Sequence, residues 1–168
     1  MIELALLASP VGPLTIAAHQ GRVCAVWFGG EDEARRFVSR WYPGEPIASA
    51  DDPAGAAEAL GGYFAGDLDA LDHLDIELHG TAFQQRVWQR LRDVRAGTTA
   101  SYQEIARSIG APSAVRAVGA ANGANPIPII VPCHRIMGSN GSLTGYGGGL
   151  DRKRWLLAHE GLRLKFES

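Results

Sequence analysis

The stretch SYQEIARSIGAPSAVRAVGAANGANPIPIIVPCHR, residues 101–135, holds two short helical segments and then an apolar run that ends in Pro-Cys-His-Arg. S-Y-Q-E fits a capping box, in which a hydroxyl and an acid satisfy the first free N–H groups of a helix, and it predicts a helix over 102–109. Gly110 stops that helix and Pro112 restarts it, so a second helix is expected over 113–122. Two short helices joined by a tight glycine-containing turn are typical of a helix-turn-helix, although an ordinary αα-hairpin has the same pattern.

The segments around this stretch predict a mainly helical domain over residues 80–168. Upstream, T-A-F-Q is a second capping box and predicts a helix over 82–94. Downstream, IIV is short and apolar and is expected to be buried, and GSNGS at 138–142 is typical of a hairpin or tight loop. A last amphipathic helix is expected over 151–159.

The first half of the chain has a different texture and predicts an α/β domain over residues 1–79. Residues 1–30 alternate short β-rich runs with the turn signals SPVGP, HQGR and GG, which indicates a three-stranded antiparallel sheet. Two helices are predicted over 31–41 and 53–64, separated by the breaker YPGEP. Asp52 is expected to cap the second of them.

Charge is divided unevenly between the two predicted domains. The whole chain has a net charge of −2, but residues 1–79 carry 4 arginines against 13 Asp and Glu, a net of −9. Residues 80–168 carry 12 Lys and Arg against 5 acids, a net of +7. This asymmetry indicates a polyanionic partner for the second domain, although two oppositely charged halves could also simply attract each other.

Composition narrows the class of protein further. With 168 residues, of which 46% are hydrophobic, the chain is long and apolar enough to build a core. No apolar run approaches the roughly 20 residues of a membrane helix, and the N-terminus lacks the positive start of a signal peptide, so we expect a cytoplasmic protein with no membrane partner. Cys24 and Cys133 are the only cysteines, which favours free thiols over a disulfide framework.

The sequence around Cys133 favours a reactive thiol. A cysteine at its ordinary pKa is only slightly ionised at neutral pH, so a nucleophilic cysteine needs a neighbour that takes its proton. His134 and Arg135 follow directly, and Pro132 restricts the turn before the cysteine. The alternative is a buried cysteine beside a surface His-Arg pair, since free cysteines are among the most buried residues.

Several motifs occur together and in order: GTAFQQRVWQ, SYQEIA, RAVGAANGANP, NPIPIIVPCHRI and GYGGGLDRKRWLLAHEG. In this combination the chain resembles the O6-alkylguanine-DNA alkyltransferases, also called methylated-DNA–protein-cysteine methyltransferases. The resemblance is strong over 80–162 and weaker over the first half. It implies an α+β fold, with an RNase H-like N-terminal α/β domain that has a short antiparallel sheet, and a mainly helical C-terminal domain with a winged helix-turn-helix.

The resemblance also implies roles at the reacting centre. Cys133 corresponds to the nucleophile that takes an alkyl group from O6 of guanine, and His134 to the histidine that relays the thiol proton through a bound water. Glu160 would orient that histidine, and Tyr102 would help to protonate the departing guanine. The alternative for Glu160 and Tyr102 is a helix-end carboxylate and a half-buried aromatic ring. The catalytic set implied by the family is Cys133, His134, Glu160, Tyr102, Asn125 and Lys153, in which Asn125 braces the active-site turn and Lys153 lies near it.

A base inside a duplex hides its O6 alkyl group, so the resemblance implies that the damaged nucleotide is rotated out of the helix. Arg116 would occupy the space that the base leaves, and small residues of the second helix would allow close approach in the minor groove. Small residues also suit close helix packing, which is the alternative reading. The implied DNA-binding residues are Arg116, Ala117, Gly119, Ala120, Asn122, Gly123 and Ser139. The implied walls of the base pocket are Tyr146, Gly147, Ile136 and Pro128.

The implied function is direct DNA repair: irreversible, stoichiometric transfer of an alkyl group from O6 of guanine, and less efficiently O4 of thymine, to Cys133. The expected partner is double-stranded DNA with such a lesion, bound by a monomer without a cofactor. No metal is expected, because Cys24 lies in an apolar run and His19 alone does not complete a zinc site. The end of the second helix, ANGAN, lacks the basic residue found in some family members, so affinity for undamaged DNA is expected to be modest and sensitive to salt.

Three other functions are compatible with parts of the pattern. An alkyltransferase-like protein of similar fold would bind lesions without a cysteine, and Cys133 argues against it. A helix-turn-helix regulator would bind a defined sequence and ignore lesions. A cysteine hydrolase with Cys133 and His134 would turn over ester or peptide substrates.

Overall fold

The computed structural model describes residues 1–138 and 146–162 and has a mixed α+β architecture. The chain divides into two compact units. The first contains Met1–His79 together with Pro126–Ile130, and the second contains Gly80–Asn125 together with the described residues of Val131–Ser168. In these described ranges, no helix is both long and apolar enough to cross a membrane.

The first unit is built on a four-stranded sheet rather than the three strands that the sequence predicts. Strands β1 (Ile2–Leu7), β2 (Leu14–His19) and β3 (Arg22–Phe28) form the expected antiparallel part. Strand β4 (Ile47–Ser49) adds to β1 in parallel, so the strand order is β3-β2-β1-β4. Its three residues follow a proline-rich turn, and a strand this short has no readable alternation of its own.

Helices α1 (Glu31–Trp41) and α2 (Ala56–Phe64) complete the first unit. The helix predicted over 53–64 is divided, because Ala54 and Gly55 have φ angles of 56° and 74° and end a 3₁₀ turn before α2 begins. Asp52 still acts as a cap: Oδ1 accepts the N–H of Ala57 at 2.6 Å and Oδ2 that of Glu58 at 3.3 Å. These are N–H groups of the first turn of α2, which would otherwise have no partner.

Cys24 lies in the core of the first unit. This cysteine is buried in an apolar cluster, and its core neighbours are Ile2, Leu4, Ala17, Ala25, Val38 and Tyr42. Burial raises the pKa of the Cys24 thiol to about 12. Residues 126–130 join this unit through the N–H of Val26, which donates to the carbonyl of Pro126 at 3.0 Å.

The second unit is mainly helical. Its elements are α3 (Ala82–Leu91), strand β5 (Ala100–Ser101), α4 (Tyr102–Ser108), α5 (Val115–Gly123), strand β6 (Ile136–Met137) and α6 (Leu150–His159). Strands β5 and β6 pair in parallel. Both predicted capping boxes are confirmed: Thr81 exchanges hydrogen bonds with Gln84, and Ser101 with Glu104. The GSNGS segment falls largely outside the described residues.

Two helix boundaries in the second unit differ from the predicted ones. Helix α3 ends at Leu91, since the following residues form turns. Helix α5 begins at Val115, because residues 111–114 make a turn in which the N–H of Ala114 donates to the carbonyl of Ala111. Trp88 of α3 is buried and donates its Nε1–H to the carbonyl of Ala121 in α5 at 2.7 Å. This bond ties α5 firmly to the core of the unit.

Candidate active site

Cys133 lies on a tight, well-supported turn between residues 131 and 136. Pro132 has φ −80° and ψ 65°, and the N–H of Cys133 donates to the carbonyl of Val131 at 2.8 Å, which is an inverse γ-turn. A single 3₁₀ turn, Cys133–Arg135, follows and leads into β6. Proline suits this position because its ring already holds φ near the required value.

Two asparagines brace the backbone of this turn. Asn125 donates from Nδ2 to the carbonyl of Val131 at 2.8 Å, and Asn122 donates from Nδ2 to the carbonyl of Cys133 at 3.3 Å. Both lie at or just after the C-terminal end of α5. The position of the cysteine backbone is therefore coupled to that helix.

The thiol of Cys133 is un-ionised in the resting protein. The residue is only 4% exposed, and burial raises the pKa of its thiol to about 11. A hydrogen bond with Asn125, the positive charge of Lys153 and a hydrogen bond with Tyr146 each act in the opposite direction. The surroundings thus contain groups that would stabilise a thiolate once the proton is removed.

His134, Arg135 and Glu160 form a buried network beside the cysteine. Nε2 of His134 lies 2.8 Å from Oε2 of Glu160. Arg135 donates from Nε to Oε1 of Glu160 at 2.8 Å and from Nη2 to Oε2 at 2.9 Å. Its third contact is from Nη1 to the carbonyl of Val94 at 2.6 Å. His134 and Glu160 are 0% and 4% exposed, so all these contacts are shielded from water.

The charges in this network follow from burial and hydrogen bonding. Burial alone would raise the pKa of Glu160, but the hydrogen bonds from His134 and Arg135 outweigh it and hold that pKa far below its usual range. Burial lowers the pKa of His134, and this effect exceeds the opposing influence of Glu160. The pair therefore consists of a carboxylate and a neutral imidazole.

The tautomer of His134 follows from the same contact. An ionised carboxylate only accepts hydrogen bonds, so Nε2 of His134 carries the proton and Nδ1 carries the lone pair. Nδ1 is buried and has no hydrogen-bond partner among the described residues. His134 is thus a neutral base with its accepting nitrogen available, directly adjacent in sequence to the thiol.

Lys153 extends from α6 into the same region. It is 0% exposed, and its Nζ donates to the carbonyl of Ile136 at 2.6 Å. Burial lowers the pKa of its ammonium group to about 8, and a charge on Cys133 would raise it. A buried ammonium group in this place stabilises a negative charge on sulfur more strongly than an exposed one would.

Tyr102 and α5 lie against each other at the predicted helix-turn-helix. Tyr102 is half-buried at the first position of α4, and its ring atoms lie 3.9 Å from the point where a Cβ on Gly119 would be. The absence of a side chain at Gly119 therefore lets α5 pack closely on this ring.

Helix α5 has one exposed face and one buried face. The exposed residues include Arg116, Ala117, Ala120 and Gly123; Ala120 follows Arg116 by four residues and Gly123 follows it by seven, so they share one side. Asn122 lies on the opposite side and is only 4% exposed. Its role as a DNA contact stays a prediction, and in the structure the side chain points inward, where it donates to the carbonyl of Cys133.

The remaining predicted residues are placed as follows. Tyr146 is half-buried and Gly147 is exposed, and a Cβ on Gly147 would lie 3.6 Å from the carbonyl oxygen of Gly123. Ile136 is buried directly after the Cys133–Arg135 turn. Pro128 is buried and belongs to the first unit, so its role as a pocket wall stays a prediction. Ser139 lies outside the described residues.

Two residues that the sequence does not assign to the reacting centre join the site. Arg135 stands in the Pro-Cys-His-Arg motif, but nothing local indicates that its partner is Glu160, 25 positions away. Asn122 does have a local signal: it lies four residues after Val118 and next to Ala121, both buried, and this helical phase indicates an inward side chain. In the described ranges, no group of three or more His, Cys, Asp or Glu residues could hold a metal ion.

Comparisons with known proteins identify the family of this chain. Residues 82–162 match the family model for the DNA-binding domain of 6-O-methylguanine DNA methyltransferase. A methylated-DNA–protein-cysteine methyltransferase of Mycobacterium tuberculosis is 50% identical over 160 residues, which cover 95% of this chain and 93% of that protein. The enzyme of the same description from Salmonella typhimurium is 46% identical over 162 residues, covering 94% of this chain and 95% of that protein.

Solved structures show the same fold along most of the chain. The crystal structure of Mycobacterium tuberculosis OGT in complex with DNA has a TM-score of 0.77 at 44% identity and covers 94% of this chain and 92% of that one. The O6-methylguanine-DNA methyltransferase of Pyrococcus kodakaraensis has a TM-score of 0.71 at 25% identity, with 96% and 100% covered. The resemblance noted in the sequence is confirmed, and the chain belongs to the methylated-DNA–protein-cysteine methyltransferase family.

Proposed function

We propose that this protein repairs double-stranded DNA by transferring an alkyl group from O6 of guanine, and less efficiently from O4 of thymine, to the sulfur of Cys133. The observation that carries the proposal is the arrangement of Cys133 on a braced turn beside a neutral His134 that is held by Glu160. Family membership supports the substrate class, and a DNA complex of the Mycobacterium tuberculosis relative supports the partner.

The proposed reaction begins with proton transfer. His134 accepts the thiol proton at Nδ1, directly or through a bound water, and the resulting imidazolium is stabilised by the Glu160 carboxylate. The thiolate is stabilised by the hydrogen bond with Asn125 and by the charge of Lys153. These two effects would allow a thiol with a raised pKa to react at neutral pH.

Alkyl transfer follows. Sulfur attacks the alkyl carbon, a carbon–sulfur bond forms, and the bond between that carbon and O6 breaks with its electron pair left on guanine. Guanine takes up one proton from the hydroxyl of Tyr102, so that a neutral base departs, and the proton that His134 took from the thiol returns to Tyr102 through solvent. The product is a thioether, which offers no easy reverse step, and each protein molecule is consumed by one lesion.

The proposal also assigns the two units. The exposed face of α5 enters the minor groove, and Arg116 fills the space of the flipped nucleotide. This role is supported by the exposure of Arg116 and by the small side chains beside it.

The second unit is a winged helix-turn-helix domain, which the α4–turn–α5 arrangement supports. The strand order β3-β2-β1-β4, with a parallel fourth strand, supports an RNase H-like first unit. The protein acts as a cytoplasmic monomer.

The deciding experiment uses duplex DNA with O6-methylguanine labelled in the methyl group. The expected result is one label per protein molecule on Cys133, with none in Cys133→Ala. Cys24→Ala is the matched control, since it removes the other cysteine, which is buried in the first unit, and it should still take up one label.

Other outcomes would reject the proposal in favour of a named alternative. Turnover on ester or peptide substrates would identify a cysteine hydrolase. Binding to one DNA sequence regardless of damage, without label transfer, would identify a regulator. Tight binding of the lesion with no label on Cys133 would identify a non-enzymatic lesion-binding protein.

A further inference from the structure

Arg135 is the one residue of the Pro-Cys-His-Arg motif to which the proposed reaction gives no task. The residue is 7% exposed, and its side chain donates three hydrogen bonds inside the protein: two to the oxygens of Glu160 and one to the carbonyl of Val94. An arginine without a specific partner would extend its guanidinium into solvent. The burial and the bidentate contact indicate a specific task at Glu160.

His134 and Arg135 share the carboxylate of Glu160. Oε2 accepts from both residues, and Oε1 accepts from Arg135. The bidentate contact fixes the plane of the carboxylate and so the direction from which it meets the imidazole. The Val94 carbonyl anchors the guanidinium from a third side, so that Glu160 cannot rotate without breaking several bonds.

Arg135 also balances the charge of Glu160. A carboxylate beside a histidine with no counter-charge favours imidazolium, and a cation next to the carboxylate cancels this effect. The charged groups that act on His134 are Glu160 and Lys153 from the region of α6, and Arg135 from its own turn. Helix α3 also packs against this turn, but its charged residues Arg86 and Arg90 lie on the exposed side.

We propose that Arg135 is a positioning residue for the reaction, which holds the Glu160 carboxylate in place and balances its charge so that His134 waits as a neutral base. The inference rests on the proposed function for its biological meaning. Its physical content is independent of that function, because it concerns the ionisation of His134 in the resting protein. A histidine already protonated before the substrate arrives could not accept the thiol proton.

The test is an NMR titration of the His134 ring in the wild-type protein, Arg135→Gln and Arg135→Lys. The chain has five histidines, and the His134 signal is assigned as the one lost in His134→Gln. In the wild type, His134 should stay neutral down to below its ordinary pKa of 6.5. Arg135→Gln should move its titration upward by at least about one pH unit, because the charge of Glu160 is no longer balanced.

The reaction rate supplies the second measurement. Reaction with the free base O6-benzylguanine avoids any effect on DNA binding. Arg135→Gln should lose roughly tenfold in rate at pH 6 relative to its own rate at pH 8, since a one-unit shift converts most of the base to imidazolium. Arg90→Gln is the control, because Arg90 forms an exposed ion pair with Asp93 and should keep the wild-type profile.

Each outcome decides the inference. An unchanged His134 titration in Arg135→Gln, or a rate lowered equally at both pH values, would overturn it and leave Arg135 a purely structural residue. If Arg135→Gln does not fold, Arg135→Lys decides: with the charge kept, its titration should remain at the wild-type position, and an upward shift would contradict charge balance. If the wild type transfers no alkyl group, the proposed function fails, while the titration still decides the role of Arg135.

Discussion

At the scale of single residues, the free-energy cost of forming a thiolate at Cys133 is the main obstacle to the proposed reaction. With a thiol pKa of about 11, forming the thiolate at pH 7 by release of the proton to water would cost about 5 kcal/mol. Transfer to the adjacent His134 would leave a thiolate and an imidazolium side by side, and the attraction between these opposite charges, together with the Glu160 carboxylate on the imidazolium, offsets part of that cost. The same burial that raises the thiol pKa strengthens every charge interaction that stabilises the thiolate.

Lys153→Met should lower the alkylation rate without lowering the free energy of unfolding. Loss of the ammonium group removes a charge that favours the thiolate, so the alkylation rate at pH 7 should fall by roughly tenfold. The free energy of unfolding should be unchanged or higher, because a buried ammonium group is replaced by an apolar side chain of similar length. Single-turnover labelling and urea denaturation provide the two readouts, with Arg154→Gln on the same helix as the control. An unaltered rate would remove Lys153 from the reaction.

Asn122→Ala tests whether that residue supports the nucleophile or contacts DNA. If Asn122 holds the carbonyl of Cys133, the substitution should slow alkylation of duplex DNA and of free O6-benzylguanine by the same factor, since it disturbs the nucleophile itself. A residue that contacted DNA would affect only the duplex reaction. Comparing the two rate ratios distinguishes these roles, and a selective loss on the duplex would support the predicted DNA contact.

At the scale of elements, α5 joins two tasks on opposite faces. Its exposed side presents Arg116 and small residues, and its inward side and C-terminal end hold the Cys133 turn through Asn122 and Asn125. Nine residues thus connect the proposed groove contact directly to the nucleophile. The capping boxes matter here because they set where neighbouring helices begin without help from distant residues.

Arg116→Ala should impair repair of the duplex far more than reaction with free O6-benzylguanine. The proposed arginine offsets the few kcal/mol needed to rotate the base out of the helix, and a free base needs no such rotation. The ratio of the two second-order rate constants, measured against wild type, is the readout. Equal losses on both substrates would contradict a role in base flipping.

Two glycine substitutions should have opposite effects on stability. A Cβ on Gly80 would lie 2.6 Å from the ring of Trp88, which is buried and fixed by its bond to Ala121, so Gly80→Ala should cost about 1–3 kcal/mol. Gly61 lies in α2 with no atom within 4 Å of such a Cβ, and Gly61→Ala should add about 0.5–1 kcal/mol. Urea denaturation of both variants provides the comparison, and a neutral Gly80→Ala would show that Trp88 can move.

At the scale of the whole molecule, each unit contains a carboxylate that is held by hydrogen bonds. In the first unit, Glu77 accepts hydrogen bonds from Tyr42 and pairs with His19, each at 2.9 Å. In the second, Glu160 pairs with His134 and Arg135. Burial would raise the pKa of each carboxyl group, but hydrogen bonds lower both pKa values on balance.

Stability should therefore fall as the solution is acidified. His134 and Glu160 have pKa values lowered from 6.5 and 4.5 in the folded state, so the unfolded chain binds more protons below those values. Their contribution to the free energy of unfolding is fully present above pH 6.5 and begins to be lost as the pH falls through 6.5. It is lost faster below pH 4.5, and the slope is about 1.4 kcal/mol per pH unit for each group. Urea denaturation from pH 7.5 to 4 measures this loss, and His134→Gln should show a shallower decline between pH 6.5 and 4.5. A constant free energy of unfolding over the whole range would contradict the ionisation states assigned to the site.

Much of the fold follows from local sequence signals, and the exceptions share a cause. Helices α1, α4 and α6 begin or end within one residue of their predicted limits, since caps and helical periodicity act over a few positions. The parallel strand β4 and the placement of residues 126–130 in the first unit have no such local signal. Both depend on pairing with strands that are far away in the chain.

The sequence by itself determined the family and the α+β class, and it predicts a reactive cysteine and its histidine, because these features depend on short motifs whose residues are neighbours. Only the tertiary structure decided that Arg135 and His134 meet on one carboxylate, that Asn122 turns inward to the cysteine, and that the thiol is buried beside an ammonium group. Charge and burial at a site are sums over groups from several elements. No single stretch of the chain contains all of these groups, so the charges and the burial of the site are decided only when the elements pack together.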